Sequence, residues 1–387
     1  MKYIIYEMMW MNNMTDNLKS IPINKLIIPG THNSAINTLD FSVKSETNKK
    51  ILLYGQKTSF FYPINNILKR WTITQEKTIH DQLLNGIRYF DIRISYLNNE
   101  IFATHTYVAK MFVHVLDEFV EFMEKINSEI IIIRVRKDFE NKKSFDNYAS
   151  VKLNNILLNH KINKYIYPIK FYKQNQLNIF PSYNEFIKSR KMVLYIFDSN
   201  TLPSESIVDF ILDDYIVDDW IDTSNLEKKM NKINDTIEKI KMDNNKIYEM
   251  NLILTPQDND IINDVVCEII DLSLILCLYL FIIFGLAVFL TRDISKNKTF
   301  FTVHVRNIYI FVLIIIIVAI IVILVFYSIK KCTFLKYNSI DNLNRSLIDK
   351  FPVLMLDPNI VNNLNVIIVD FPNNNIINNI INLNNKK

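Results

Sequence analysis

Two histidines, an aspartate and an arginine stand in or just after short apolar runs. His32 follows Ile28-Pro29-Gly30-Thr31, Asp91 and Arg93 lie within Ile87-Arg88-Tyr89-Phe90-Asp91-Ile92-Arg93, and His105 closes Phe102-Ala103-Thr104-His105. Such runs read as strands, in which residues two apart share a side, so Asp91 and Arg93 face the same way. Imidazole exchanges protons near neutrality and guanidinium is a permanent planar cation, a combination suited to proton transfer beside an anion. Singly, each signal has a plainer explanation. A strand-end histidine is more often a hydrogen-bonded structural residue, and Asp-x-Arg is equally an ion pair that closes a barrel. Their arrival on successive strands is what places two imidazoles, a carboxylate and a guanidinium at one mouth.

The elements that must hold these side chains are short apolar strands at 25–29, 87–94, 100–104, 130–135, 192–197, 249–254 and 366–371. Apolar residues recur at helical spacing over 78–85, 113–126, 148–158 and 226–241. Alternation of the two implies an α/β fold, a mostly parallel sheet closing into a distorted TIM (β/α) barrel. In such barrels reactive groups sit at the C-terminal strand ends, where His32 and His105 are expected. His80, His114, His160 and His304 lack that context and read as surface or packing residues.

Composition removes several alternatives. The 387 residues carry 44 Lys+Arg against 40 Asp+Glu, a net charge of +4 too weak to mark a nucleic-acid binder. With 4 glycines, neither a dinucleotide fingerprint nor a phosphate-binding P-loop can be assembled. Three cysteines, Cys267, Cys277 and Cys332, form no CxxC pair and favour a reducing compartment.

The mean hydropathy of +0.09 is high for a water-soluble chain. Residues 272–290 and 308–329 explain it, each free of formal charge over a length that brackets the ~20 residues of a membrane-crossing helix. They read as a two-helix transmembrane hairpin set into the last crossover of the barrel. The expected organisation is thus 1–264 as the main part of the barrel, 265–330 as the hairpin and 331–387 as the part completing the barrel. An even number of crossings keeps both flanks on one side of the bilayer. Lys and Arg counts barely separate the two orientations.

The stretches Ile28 to Ser34, Gln82 to Arg93 and Ala103 to His105 resemble those of phosphatidylinositol-specific phospholipase C X-domain proteins, short forms without a separate Y region. Weaker matches occur at residues 128–138, 252–256 and 365–371. The resemblance implies a phosphoric diester hydrolase that cleaves phosphatidylinositol to diacylglycerol and a cyclic inositol phosphate. It makes His32 the general base, His105 the general acid, Arg93 the cation on the phosphate, Asp91 the group holding the attacking hydroxyl's network, and Asp370 the carboxylate orienting His32.

It also bears on metal. Calcium-dependent members carry an acidic residue at position 93, whereas this chain presents Arg93, so no cofactor is expected. Asn33 stands where metal-independent relatives usually have Asp, and Arg136 where Lys or a carboxylate is usual; both are expected to face substrate. Phe197 replaces an inositol-binding Arg. The expected partners are the inositol lipid and the bilayer, not nucleic acid, with the barrel on the cytosolic side where phosphatidylinositol is abundant. Two alternatives stand beside this: a catalytically silent scaffold that binds inositol lipid, and a lumenal or outer-face enzyme acting on glycosylphosphatidylinositol anchors.

Overall fold

The computed structural model describes residues 9–44, 69–105, 107–138, 147–168, 180–197, 211–240, 245–257, 339–349 and 358–386, with isolated positions between them. The chain divides into two compact units, one formed by Met1–Pro256 with Ser339–Lys387 and the other by Gln257–Asn338.

In the first unit β1 (Ile28–Thr31), β2 (Asp40–Lys44), β3 (Tyr89–Leu97), β4 (Glu100–His105), β5 (Tyr107–Met111), β6 (Ile131–Lys137), β7 (Val193–Phe197), β8 (Ile211–Leu212), β9 (Ile216–Asp218), β10 (Ile247–Leu252) and β11 (Val366–Val369) join in a single mixed sheet. Its parallel part runs β8-β7-β6-β3-β1-β11-β10-β9. The mostly parallel closed barrel expected from the sequence is corrected in two places.

First, β4, β5 and β2 add an antiparallel extension to the far end of β3. The cause is local. Asn98 and Asn99, at φ 50° and 63°, form the two-residue turn whose twist suits a hairpin, so the chain doubles back on β3. Second, no hydrogen-bonded ladder joins β8 to β9 among the described residues, because the 3-10 turn Asp213–Tyr215 breaks the extended backbone between them.

The helices form where an apolar stripe meets a capping residue. Thr78 Oγ1 accepts from the Asp81 amide at the start of Ile79–Leu84, and Ser182 with Glu185 makes a capping box on Tyr183–Ser189. The helix Phe112–Lys125 buries Phe112, Val115, Leu116, Phe119, Phe122 and Met123, a stripe at three- and four-residue spacing that lies over β4 and β5. Phe119 meets Phe90 of β3 edge to face, 5.0 Å between centroids. Three helices are hidden in Asn-rich sequence: Ile340–Ile348 packs against β10, Pro358–Asn363 against the helix Leu226–Ile240, and Asn374–Asn382 against β1.

The hairpin expected at 272–290 and 308–329 lies almost wholly outside the described residues. Those described within it, Ile275, Leu278, Tyr279, Leu280, Ile282 and Ile283, are helical and all about half exposed or more. No helix of the described residues is long and apolar enough to cross a membrane.

Candidate active site

Strand register builds the site. β1 and β11 run parallel with Thr31 opposite Val369, so the next residues, His32 and Asp370, leave the sheet side by side although 338 positions separate them. His32 Nδ1 lies 3.2 Å from Asp370 Oδ1, and the Asn344 amide donates to Asp370 Oδ2 at 2.8 Å. From β3, Arg93 Nη2 comes within 3.3 Å of His32 Nε2. A guanidinium only donates, so Nε2 accepts and the imidazole proton sits on Nδ1, facing the carboxylate. The ring is thereby held in the tautomer whose Nε2 lone pair faces Arg93.

His105 reaches the same place by another route than the sequence suggests. It ends an antiparallel strand, not a parallel one. The β3–β4 hairpin, with Ile94 opposite Ala103, carries His105 back alongside β3 and within reach of the Arg93 charge. Its ring lies edge-on to His32 with centroids 6.0 Å apart, and its Nδ1 contacts the Thr72 carbonyl at 2.8 Å. A carbonyl only accepts, so Nδ1 carries the proton and Nε2 is left for chemistry.

Burial pushes both imidazoles below their usual pKa, and the Arg93 charge adds to the shift; Asp91 works against it for His32 and Asp138 for His105. Both rings are therefore neutral at neutral pH. Burial pushes the Asp370 carboxyl well above its usual range against the pull of Arg93 and Asn344. Arg93 is lowered to about 10 by burial and by neighbouring Arg136.

Asp91 and Arg136, both expected at the site, pair with each other. Arg136 donates from Nε to Asp91 Oδ1 at 2.9 Å and from Nη2 to Asp91 Oδ2 at 2.7 Å. The carboxylate is buried, yet this fork and Arg93 outweigh burial and hold it well below the carboxylate range. Asp91 is thus a buried carboxylate with Arg136 as its partner. Asn33 is fully buried at φ 42° and neither polar atom of its side chain has a hydrogen-bond partner. Phe197 is buried beside Tyr195, at 5.4 Å between rings.

Four contributors escaped the sequence reading. Trp220 lies over the site, its ring 5.3 Å from that of His32 and 5.8 Å from the Arg93 guanidinium carbon. Thr72 holds His105, and the Gln75 amide donates to the His32 carbonyl at 2.8 Å. Asn344 holds Asp370. A tryptophan directly after Asp218-Asp219 was the one legible signal. His80 lies 3.7 Å from Glu121, while His114 and His160 both lie against Asp117, all away from this cluster; His304 lies outside the described residues.

Known proteins supply a frame for this geometry. No family model matches the chain. PI-PLC X domain-containing protein 3 of Mus musculus is 27% identical over 159 residues, which are 40% of this chain and 48% of that protein. PI-PLC X domain-containing protein 2 of Homo sapiens is 33% identical over 86 residues, 22% of this chain and 28% of its own length. Over these stretches the chain is similar to PI-PLC X domain-containing proteins. Among solved structures, the phosphatidylinositol-specific phospholipase C from Listeria monocytogenes shares the fold at a TM-score of 0.56 and 18% identity, covering 97% of this chain and 98% of its own. The chain spans less than half the length of these curated X-domain relatives. The likeness to X-domain proteins is one of sequence over part of the chain, and the likeness of the α/β fold with its mixed sheet is one of backbone.

Proposed function

We propose that the protein is a membrane-anchored, metal-independent phosphodiesterase that cleaves phosphatidylinositol to diacylglycerol and a cyclic inositol phosphate. The observation that carries this reading is the His32–Asp370 pair meeting Arg93 and His105 within one buried cluster. His32 Nε2 takes the proton of the inositol 2-hydroxyl, whose oxygen forms a bond to phosphorus while the bond to the diacylglycerol oxygen breaks. Protonated His105 Nε2 supplies the proton that oxygen needs. Arg93 moves its hydrogen bond from His32 Nε2 to a phosphate oxygen, which frees the base and neutralises charge in one step. An arriving phosphate anion favours the imidazolium of His105, which burial and Arg93 suppress in the empty site.

Trp220 offers its indole face to the inositol ring. Asn33, with both polar atoms unpartnered, offers a donor and an acceptor to the substrate. In this reading the sheet closes as a distorted barrel through the kinked segment 211–218, which pairs with β7 through Ile211 and Leu212 and with β10 through Ile216, Val217 and Asp218.

Residues 272–290 and 308–329 would anchor this barrel on the cytosolic face, next to its substrate. The exposed apolar side chains of Ile275, Leu278, Tyr279, Leu280, Ile282 and Ile283 support contact with lipid, on whichever face. Vesicles carrying phosphatidylinositol, its phosphorylated forms or a glycosylated anchor, incubated with the full chain in excess chelator, test the reading. Cyclic product from phosphatidylinositol that disappears in His32→Ala is expected. Lipid binding without turnover in the parent protein would instead make it a silent scaffold.

A further inference from the structure

The proposed chemistry leaves unused the most deeply buried amine described in the molecule. Lys229, on the helix Leu226–Ile240, is fully buried, and its ammonium donates to both the backbone carbonyl and Oδ1 of Asp219 at 2.9 Å. Asp219 is also fully buried, and it receives the Asn251 amide at 2.9 Å and the Tyr248 hydroxyl at 3.3 Å. A buried ion pair costs desolvation and is a weak source of stability. What this one does is fix a short piece of backbone from both its carbonyl and its side chain.

That piece is the turn after β9. Asp218 on one side of it lies 3.7 Å from Arg134 inside the sheet and accepts from the Trp220 amide at 3.2 Å. Trp220 on the other side covers His32 and Arg93. We propose that Lys229 is a positioning residue for the reaction, acting through Asp219 to hold the Trp220 indole over His32 and Arg93 and so shape the pocket for the inositol ring. This rests on the phosphodiesterase reading for its consequence, but not for its geometry.

The test uses the full chain in lipid nanodiscs with 5-fluorotryptophan in place of its 3 tryptophans, the Trp220 resonance being assigned with Trp220→Phe. Lys229→Met is expected to displace the Trp220 resonance while leaving Trp10 and Trp71 in place. It should lower kcat/KM on phosphatidylinositol roughly 10- to 100-fold, mainly through KM. Asp219→Asn should give the same displacement, and the double variant should be no worse than either single one. Where methionine prevents folding, Lys229→Gln, which keeps a donor without the charge, serves for the same comparison. A Trp220 resonance unmoved in a folded variant, or additive losses in the double variant, overturns the proposal. A parent protein that cleaves no inositol lipid removes the phosphodiesterase reading, and the fluorine shifts still decide the positioning.

Discussion

Arg88 and Arg93 lie five residues apart, one entering β3 and the other at its middle, and both are buried. Arg88 meets Glu129 at 2.9 Å and donates to the Leu83 and Ile87 carbonyls at 2.8 Å; Glu129 in turn accepts from the Met11 and Asn12 amides. Donors and acceptors there answer one another, with the N-terminal segment packed over them. Arg93 instead faces the lone pair of an imidazole and the flat side of an indole. The same kind of cation is thus a structural tie at the entry of the strand and stands against an imidazole and an indole at its middle. In the proposed reaction the contact of Arg93 with His32 is one that an anion can take over.

The sharpest way to break that contrast is to remove each cation in turn. Arg93→Met and His32→Ala should each lower cleavage roughly 10²- to 10⁴-fold while melting close to the parent protein. Comparable melting with parent-like turnover in either variant would end the catalytic reading of the mouth. Arg88→Met should do the opposite, leaving Glu129 buried without its cation and costing about 3–5 kcal/mol of stability in denaturant unfolding, with turnover per folded molecule unchanged.

Acid should also separate the two ends. The folded-state pKa of His32 lies below the ordinary imidazole value of 6.5, so the unfolded chain binds the extra proton first. The stability this reflects is complete above pH 6.5 and is lost as pH falls from there toward the lowered value. A melting-temperature series from neutral to mildly acid pH should therefore fall less steeply in His32→Gln than in the parent. Identical slopes in the two would remove the buried imidazole as the cause.

The smallest effect is expected between the two ends. A Cβ on Gly30 would come within 3.1 Å of the Tyr89 side chain and 3.2 Å of its carbonyl. Tyr89 holds Glu249, which holds Arg134. Gly30→Ala should thus cost about 1 kcal/mol and disturb the mouth and the base alike, read as a modest loss in both melting temperature and rate.

Much of the site was legible because strand alternation is a property of local sequence. It placed Asp91 and Arg93 on one face and His32 at a strand end. His105 was found for a reason that the structure replaces, since the Asn98-Asn99 turn returns it on an antiparallel strand. The pairing of Arg136 with Asp91 was not legible, because it depends on the register of β6 against β3 across 45 residues. Nor were the roles of Asn344 and Trp220, which come from segments with no motif to mark them.

The sequence alone determined the residue types available for chemistry, the alternation that aims them, and the uncharged apolar stretches at 272–290 and 308–329. Tertiary structure alone decided which carboxylate faces each cation, which imidazole nitrogen keeps its lone pair, and which indole covers them. Desolvation and Coulomb interaction act through distance in space, and for His32 and Asp370 that distance is set by strand register across 338 residues of chain.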